Sequence, residues 1–135
     1  MSYYLAVFDP DDVPCSKPEF RVWFRNITEW DLSRSYDNPD AMTPKLRAWF
    51  DEVRVKFPPM NGPLALSDEA FDALGNEAVA YVTDYSIDTQ MVYAAFAWSV
   101  AEEAEWFFHE SALRRGLGFY DPQSDLLILS GRSSR

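Results

Sequence analysis

One cysteine, one histidine and no apolar run approaching the roughly 18–20 residues of a membrane span: the sequence is defined first by what it lacks. A lone cysteine cannot close an internal disulfide, so a reducing cytoplasm is the expected compartment. With His109 as the single histidine, there is no His-based metal cluster and no Ser-His-Asp triad with a spare base. The start, Met1-Ser2-Tyr3-Tyr4, lacks the basic region and long apolar run of a signal peptide. The most informative absence is of positive charge. Residues 58–113 contain ten acidic side chains and no Lys or Arg.

The formal net charge is −10, and that middle segment accounts for all of it. Residues 1–57 hold ten acidic and eight basic side chains, a balance of −2. Residues 114–135 hold two acidic and four basic, a balance of +2. A negative field of this kind repels phosphate backbones and anionic lipid and attracts cationic surfaces. Nucleic acid and membrane are therefore not expected partners. An acidic surface that serves solubility alone is the plain alternative.

What is present is apolar and aromatic: 47% of residues are hydrophobic and 16% aromatic, which argues against disorder. At 135 residues one domain is expected, over 1–130, with 131–135 as a frayed tail. The apolar run Tyr3 to Phe8 reads as a first strand, followed by a proline-rich loop over 9–18. From Glu19 on, Phe20, Trp23, Phe24, Ile27 and Trp30 recur at helical spacing. Thr43-Pro44 is a helix start, with threonine as cap and proline at the first helical position. Leu46, Trp49, Phe50, Val53 and Phe57 form the apolar stripe of that helix, which Pro58-Pro59 ends. Ser67 is placed to cap one or two helical turns containing Asp68, Glu69, Phe71 and Leu74, ended by Gly75-Asn76.

Alternation over Glu77 to Ile87 predicts a strand, paired as a hairpin with Gln90 to Trp98. An even loop would place Tyr81, Tyr85, Phe96 and Trp98 together under the helices; an odd loop would place Tyr81 and Tyr85 beside Met91 and Tyr93. The even loop is favoured because it gathers the large side chains. Ser99 with Glu102 has the spacing of a capping box, and Gly116 stops the helix that follows. Leu117 to Asp121 reads as another strand and Leu126 to Leu129 as an edge strand. The order predicts an α+β fold, a ferredoxin-like split β-α-β-β-α-β sandwich with an extra helix before the central hairpin. Its helices would cover one face of an antiparallel sheet.

Candidate chemistry is thin. Cys15 and Arg21 have the Cys-x5-Arg spacing of a phosphate cradle, but Pro18 removes a donor and Glu19 adds repulsion, so an ordinary loop cysteine is the better reading. Asp9, Asp11 and Asp12 lack the glycine at position six and the glutamate at position twelve of a calcium loop, which leaves a turn. No catalytic residue, metal site or cofactor is expected. On the helical wheel of 99–115, Val100, Ala101, Ala104, Phe107, Phe108 and Ser111 face the sheet. Glu102, Glu103, Trp106, His109, Glu110 and Leu113 face outward. A tryptophan ringed by carboxylates has the composition of an interface anchor, unless a neighbouring helix or the tail covers it.

Several stretches resemble a family of small, uncharacterised bacterial proteins: Tyr3 to Asp9, Phe57 to Pro63, Thr83 to Ser86, Ala95 to Ser99 and Gly116 to Asp121. The family is similar to small proteins that accompany secreted bacterial toxins, and the resemblance implies an immunity role with no catalytic motif. The combined expectation is a cytoplasmic acidic module that occludes the basic active site of a cognate toxin. Asp68, Glu69, Asp72, Asp84, Asp88, Glu102, Glu103 and Glu110 would supply the charge and Trp106 the anchor. The alternative is a small enzyme or small-molecule-binding protein with a pocket near the 58–65 loop.

Overall fold

The computed structural model describes residues 2–11, 13–14, 16–31, 33 and 35–129. The fold is α+β, and its centre is strand β1, Tyr3–Phe8. Along β1 the side chains alternate: Leu5 and Val7 point to one core, Ala6 and Phe8 to another, and all four are fully buried. Four further strands are β2 (Asp84–Ile87), β3 (Met91–Phe96), β4 (Gly118–Asp121) and β5 (Leu126–Ile128). They form one antiparallel sheet in the order β2-β3-β1-β4-β5.

Helix α1, Lys17–Ile27, is capped by Ser16, whose hydroxyl accepts from the Glu19 N–H. It lies on the Ala6/Phe8 face, where Phe20 meets Phe8 at 5.0 Å between ring centres and Phe24 meets Tyr120 at 4.9 Å. Helix α2, Pro44–Lys56, begins as its Thr43-Pro44 start predicts, with the Thr43 hydroxyl accepting from the Leu46 N–H. Its stripe of Leu46, Trp49, Phe50 and Val53, continued by Phe57, is buried on the Leu5/Val7 face. Helix α5, Ala101–Arg114, shares that face: Trp49 and Phe108 meet edge-to-face at 5.1 Å. The buried Trp49 indole N–H donates to Ser111 Oγ at 2.9 Å, so neither polar group is orphaned. Two short helices, α3 (Asp68–Asp72) and α4 (Asn76–Val79), bridge α2 and the hairpin.

Helices thus cover both faces of the sheet, where one covered face is expected from sequence. Three other expectations change. Residues 77–83 do not begin the hairpin strand: 76–79 are helical, and β2 starts where Thr83 donates to Pro58 O and accepts from Met60 N–H. The hairpin itself has the even register, with Ile87 opposite Val92 and Tyr85 opposite Ala94, so Tyr85 and Phe96 share the α2/α5 face. Trp98 does not join them. It lies in a 3-10 turn, Trp98–Val100, and Val100 rather than Ser99 caps α5, without any side-chain capping bond. The residues 130–135, including the expected tail, lie outside the described residues.

Gly118 sits opposite Phe8 in the β1–β4 pair, and a methyl group there would overlap the Phe8 ring. Because Phe8 is fully buried, it has nowhere to go. Gly118→Ala is expected to cost about 1–3 kcal/mol of stability in urea unfolding. A second tie joins the helices: Glu52 accepts from Arg114 and Arg115, each at 2.7 Å. The hydrogen bond from Arg114, seconded by Arg115, holds the Glu52 carboxyl below its ordinary value of 4.5. A carboxyl depressed on folding stabilises the fold above its unfolded pKa, and that contribution fades as pH falls through the carboxylate range. Glu52→Gln should therefore lower the melting temperature slightly at pH 7, and the difference from the parent protein should shrink as pH falls below 4.5 and vanish only below the depressed native pKa.

Candidate functional site

Six carboxylates at one end of the molecule have no ion-pair partner among the described residues: Asp68, Glu69, Asp72, Glu77, Asp84 and Glu102. All six are exposed. Asp68 and Glu69 occupy the first turn of α3, which the Ser67 hydroxyl caps by accepting from the Ala70 N–H. Glu102 stands in the first turn of α5, freed of the capping role its spacing from Ser99 suggests.

Three of the six, Asp68, Glu77 and Glu102, each line one of three open grooves. The first is lined by Pro59, Met60, Leu66, Asp68, Phe71 and Val82. The second lies between α4 and the 98–100 turn and includes Glu77, Tyr81 and Ser99. The third, an open groove of about 420 Å³, lies across that turn and is lined by Tyr3, Trp98, Ala101, Glu102 and Glu105. Apolar side chains are interleaved with the charge: Met60, Phe71, Val79 and Trp98 are all exposed. On the next turns of α5, Trp106 is 64% exposed, so no neighbouring described element covers it. The surface combines unneutralised carboxylates with uncovered rings, as protein interfaces do.

Three of the expected charge positions do not belong to this group. Glu103 is neutralised internally: Lys56 and the Tyr81 hydroxyl both donate to it, which holds its carboxyl below the usual range. Glu110, about 12 Å along α5 from Glu102, pairs with Arg114 at 3.2 Å. Asp88 lies in the hairpin loop, where it accepts from the Thr89 N–H at 2.7 Å. That loop is at the Met91–Phe8 end of the sheet, five residues or about 17 Å from the Phe96–Tyr3 end that leads into α5.

Other candidates resolve plainly. His109, expected to face solvent, is half-buried and stacks on Phe119 at 4.9 Å with Glu105 Oε2 3.6 Å from Nδ1. Asp9 is buried and accepts from the Thr43 hydroxyl at 2.8 Å and the Asp11 N–H at 3.2 Å, a turn-forming role. Cys15 and Asp12 lie outside the described residues. Among the described residues no group of three or more His, Cys, Asp or Glu side chains could hold a metal ion. Beside the 58–65 loop, between Phe50, Pro63, Leu64 and Tyr85, the space is about 10 Å³. That is room for about one water, far below the roughly 300 Å³ of a small ligand site. Among the described residues no helix is long and apolar enough to cross a membrane.

Sequence reasoning missed Trp98, Glu77 and Glu105. The charge count of 58–113 already contained both glutamates, but Trp98 carried no separate signal while it read as the end of a strand. Comparison with protein-family models, curated proteins and solved structures gives no significant match.

Trp98 is 52% exposed and Trp106 64%, whereas Trp49 is fully buried. In an anionic field, quenching of the exposed pair, taken relative to that of free N-acetyltryptophanamide, should be stronger for cationic caesium than for anionic iodide at equal ionic strength. The double variant Trp98→Phe/Trp106→Phe should lose most of that caesium-quenchable emission. Equal quenching by the two ions would show that no local field surrounds the two indoles.

Proposed function

We propose that this chain is a cytoplasmic, non-enzymatic protein-binding module, an immunity protein that neutralises a cognate bacterial toxin by occluding its basic active site. The observation that carries the proposal is the coincidence of six unpaired carboxylates with exposed Trp98, Trp106, Phe71 and Met60 at one end of the fold. Charges left without internal partners repel one another, and a cationic macromolecule relieves that repulsion while steering its own approach. Exposed rings supply the apolar anchors that give such a complex its lifetime. Beside the 58–65 loop the space between Phe50, Pro63, Leu64 and Tyr85 is water-sized and the groove at Pro59 and Met60 is open and about 200 Å³, which favours this role over an enclosed small-molecule site there.

The same proposal extends to the architecture. The order β2-β3-β1-β4 and the placement of α2 and α5 on one face support a ferredoxin-like split β-α-β-β-α-β unit. In that reading β5 is an appended edge strand, and α1 is the extra helix, laid on the opposite face.

The test is affinity capture with the full chain from its native cells, followed by binding measurements on variants. A stoichiometric basic protein is the expected partner. Glu69→Lys/Glu102→Lys should slow association and flatten its salt dependence. Trp106→Ala should weaken the complex at least about fivefold while leaving the melting temperature unchanged. Failure to capture any basic protein, or a complex indifferent to all three substitutions, would overturn the proposal.

A further inference from the structure

The groove of Tyr3, Trp98, Ala101, Glu102 and Glu105 differs from its two neighbours in having two aromatic side chains in its wall, packed against each other. The Tyr3 ring lies 5.4 Å from the Trp98 ring at 57°. It is held there from behind: the Tyr3 hydroxyl donates to Asp121 Oδ2 at 3.0 Å. Asp121 is itself buried and fixed, its other oxygen accepting from the Gln123 N–H at 3.0 Å. Gln123 in turn pairs with the Tyr4 backbone, accepting from its N–H at 2.7 Å and donating to its carbonyl at 2.6 Å. Trp98 is carried on the 3-10 turn that Val100 N–H closes onto Ala97 O at 3.1 Å. The aromatic corner is thus built before any partner arrives.

Two carboxylates line the same space. Among the described residues Glu102 has no ion-pair partner, and Glu105 has only the neighbouring His109 ring nitrogen at 3.6 Å. No Lys or Arg lies within residues 58–113 to fill the groove from the same segment. An exposed indole beside two anions is the environment that a guanidinium satisfies completely. Its flat face stacks on the ring, and its edge donates to carboxylate oxygens in a fork. An ammonium, more strongly hydrated and without a flat face, exploits only half of this.

Resting on the protein-binding role proposed above, we infer that this groove is the socket for one arginine side chain of the protein partner. Its open shape suits a side chain that enters from another surface, rather than a metabolite that must be enclosed.

The probe is acetyl-Gly-Arg-Gly-amide, titrated into the ¹⁵N-labelled full chain and followed by NMR. Its citrulline counterpart keeps the shape and removes the charge, and its lysine counterpart keeps the charge and removes the plane. The arginine peptide should give a saturable shift of the Trp98 indole N–H, with a dissociation constant on the order of millimolar, as one cation–π contact and an ion pair allow. The citrulline peptide should bind at least about tenfold more weakly. Glu102→Gln/Glu105→Gln should weaken the arginine peptide at least about fivefold, and Trp98→Ala should abolish its binding. Trp106→Ala, which lies outside the groove, should leave it unchanged. The inference is overturned if the arginine peptide shifts nothing saturably at Trp98, if citrulline binds as well, or if lysine binds as tightly. A captured partner together with a non-binding arginine peptide sinks the socket alone; a binding peptide with no captured partner sinks the broader role instead.

Discussion

Strand β1 must be dry on both faces, and most of the architecture follows from meeting that demand. Antiparallel sheets commonly leave one face to solvent. Here Leu5, Ala6, Val7 and Phe8 are a continuous apolar run with no polar alternate, so helices are needed on both sides. α2 and α5 take one side and α1 the other. The chain must then pass from the α1 face to the α2 face around an edge of the sheet. It does so past β2, where the Ile87 N–H donates to Tyr36 O at 2.7 Å. The 58–60 segment binds the same edge at Thr83. The β2 edge is thereby covered at both ends, which removes a site for uncontrolled strand pairing.

Covering the sheet in this way also sorts the charges. The cations that flank the core are used internally: Arg47 and Arg54 on Asp51, Lys56 on Glu103, Arg114 and Arg115 on Glu52, Lys17 and Arg21 on Asp125. The Asp51 pairs lie within α2, the Glu103 and Glu52 pairs tie α2 to α5, and the Asp125 pairs tie α1 to the β4–β5 turn. Among the described residues, the carboxylates of the α3–α4 segment and Glu102 at the start of α5 receive none. Mutual repulsion there disfavours the compact state and is offset by burial elsewhere. Exposed ion pairs contribute little individually, so the arrangement matters less for stability than for where the field is left open.

Local pattern carried a good part of the fold. The α2 stripe was legible because five large apolar residues recur at 3.6 spacing behind a threonine–proline start, and each of them is buried. The even hairpin was legible because only that register collects Tyr85 and Phe96 on one face. Residues 77–83 misled because period-two alternation cannot distinguish a strand from a one-turn helix followed by a bridge. What decided the matter was Pro58 and Met60, remote in sequence, which pair only with Thr83. Glu103 was mistaken for free charge for the same reason: its cation, Lys56, lies far back in the sequence at the end of α2. His109 looked exposed on the wheel because β4 had not yet been placed, and Phe119 of that strand is what it stacks on.

The 98–100 turn shows how a locally poorer choice creates the candidate site. Had Ser99 capped α5, its hydroxyl and the Glu102 carboxylate would have satisfied each other's backbone neighbours, a stabilisation of roughly 1 kcal/mol. Glu102 would then have been bent back onto the helix start, and Trp98 would have remained in the strand. Instead the chain tightens into a 3-10 turn, α5 begins at Ala101, and no side chain caps it. The forgone cap leaves Glu102 unengaged and turns Trp98 out to solvent against Tyr3. Tyr3 belongs to β1, so the groove wall is anchored to the central strand of the sheet. One wall of the site is thus held by the core strand β1 and the other is carried on the turn that β3 runs into.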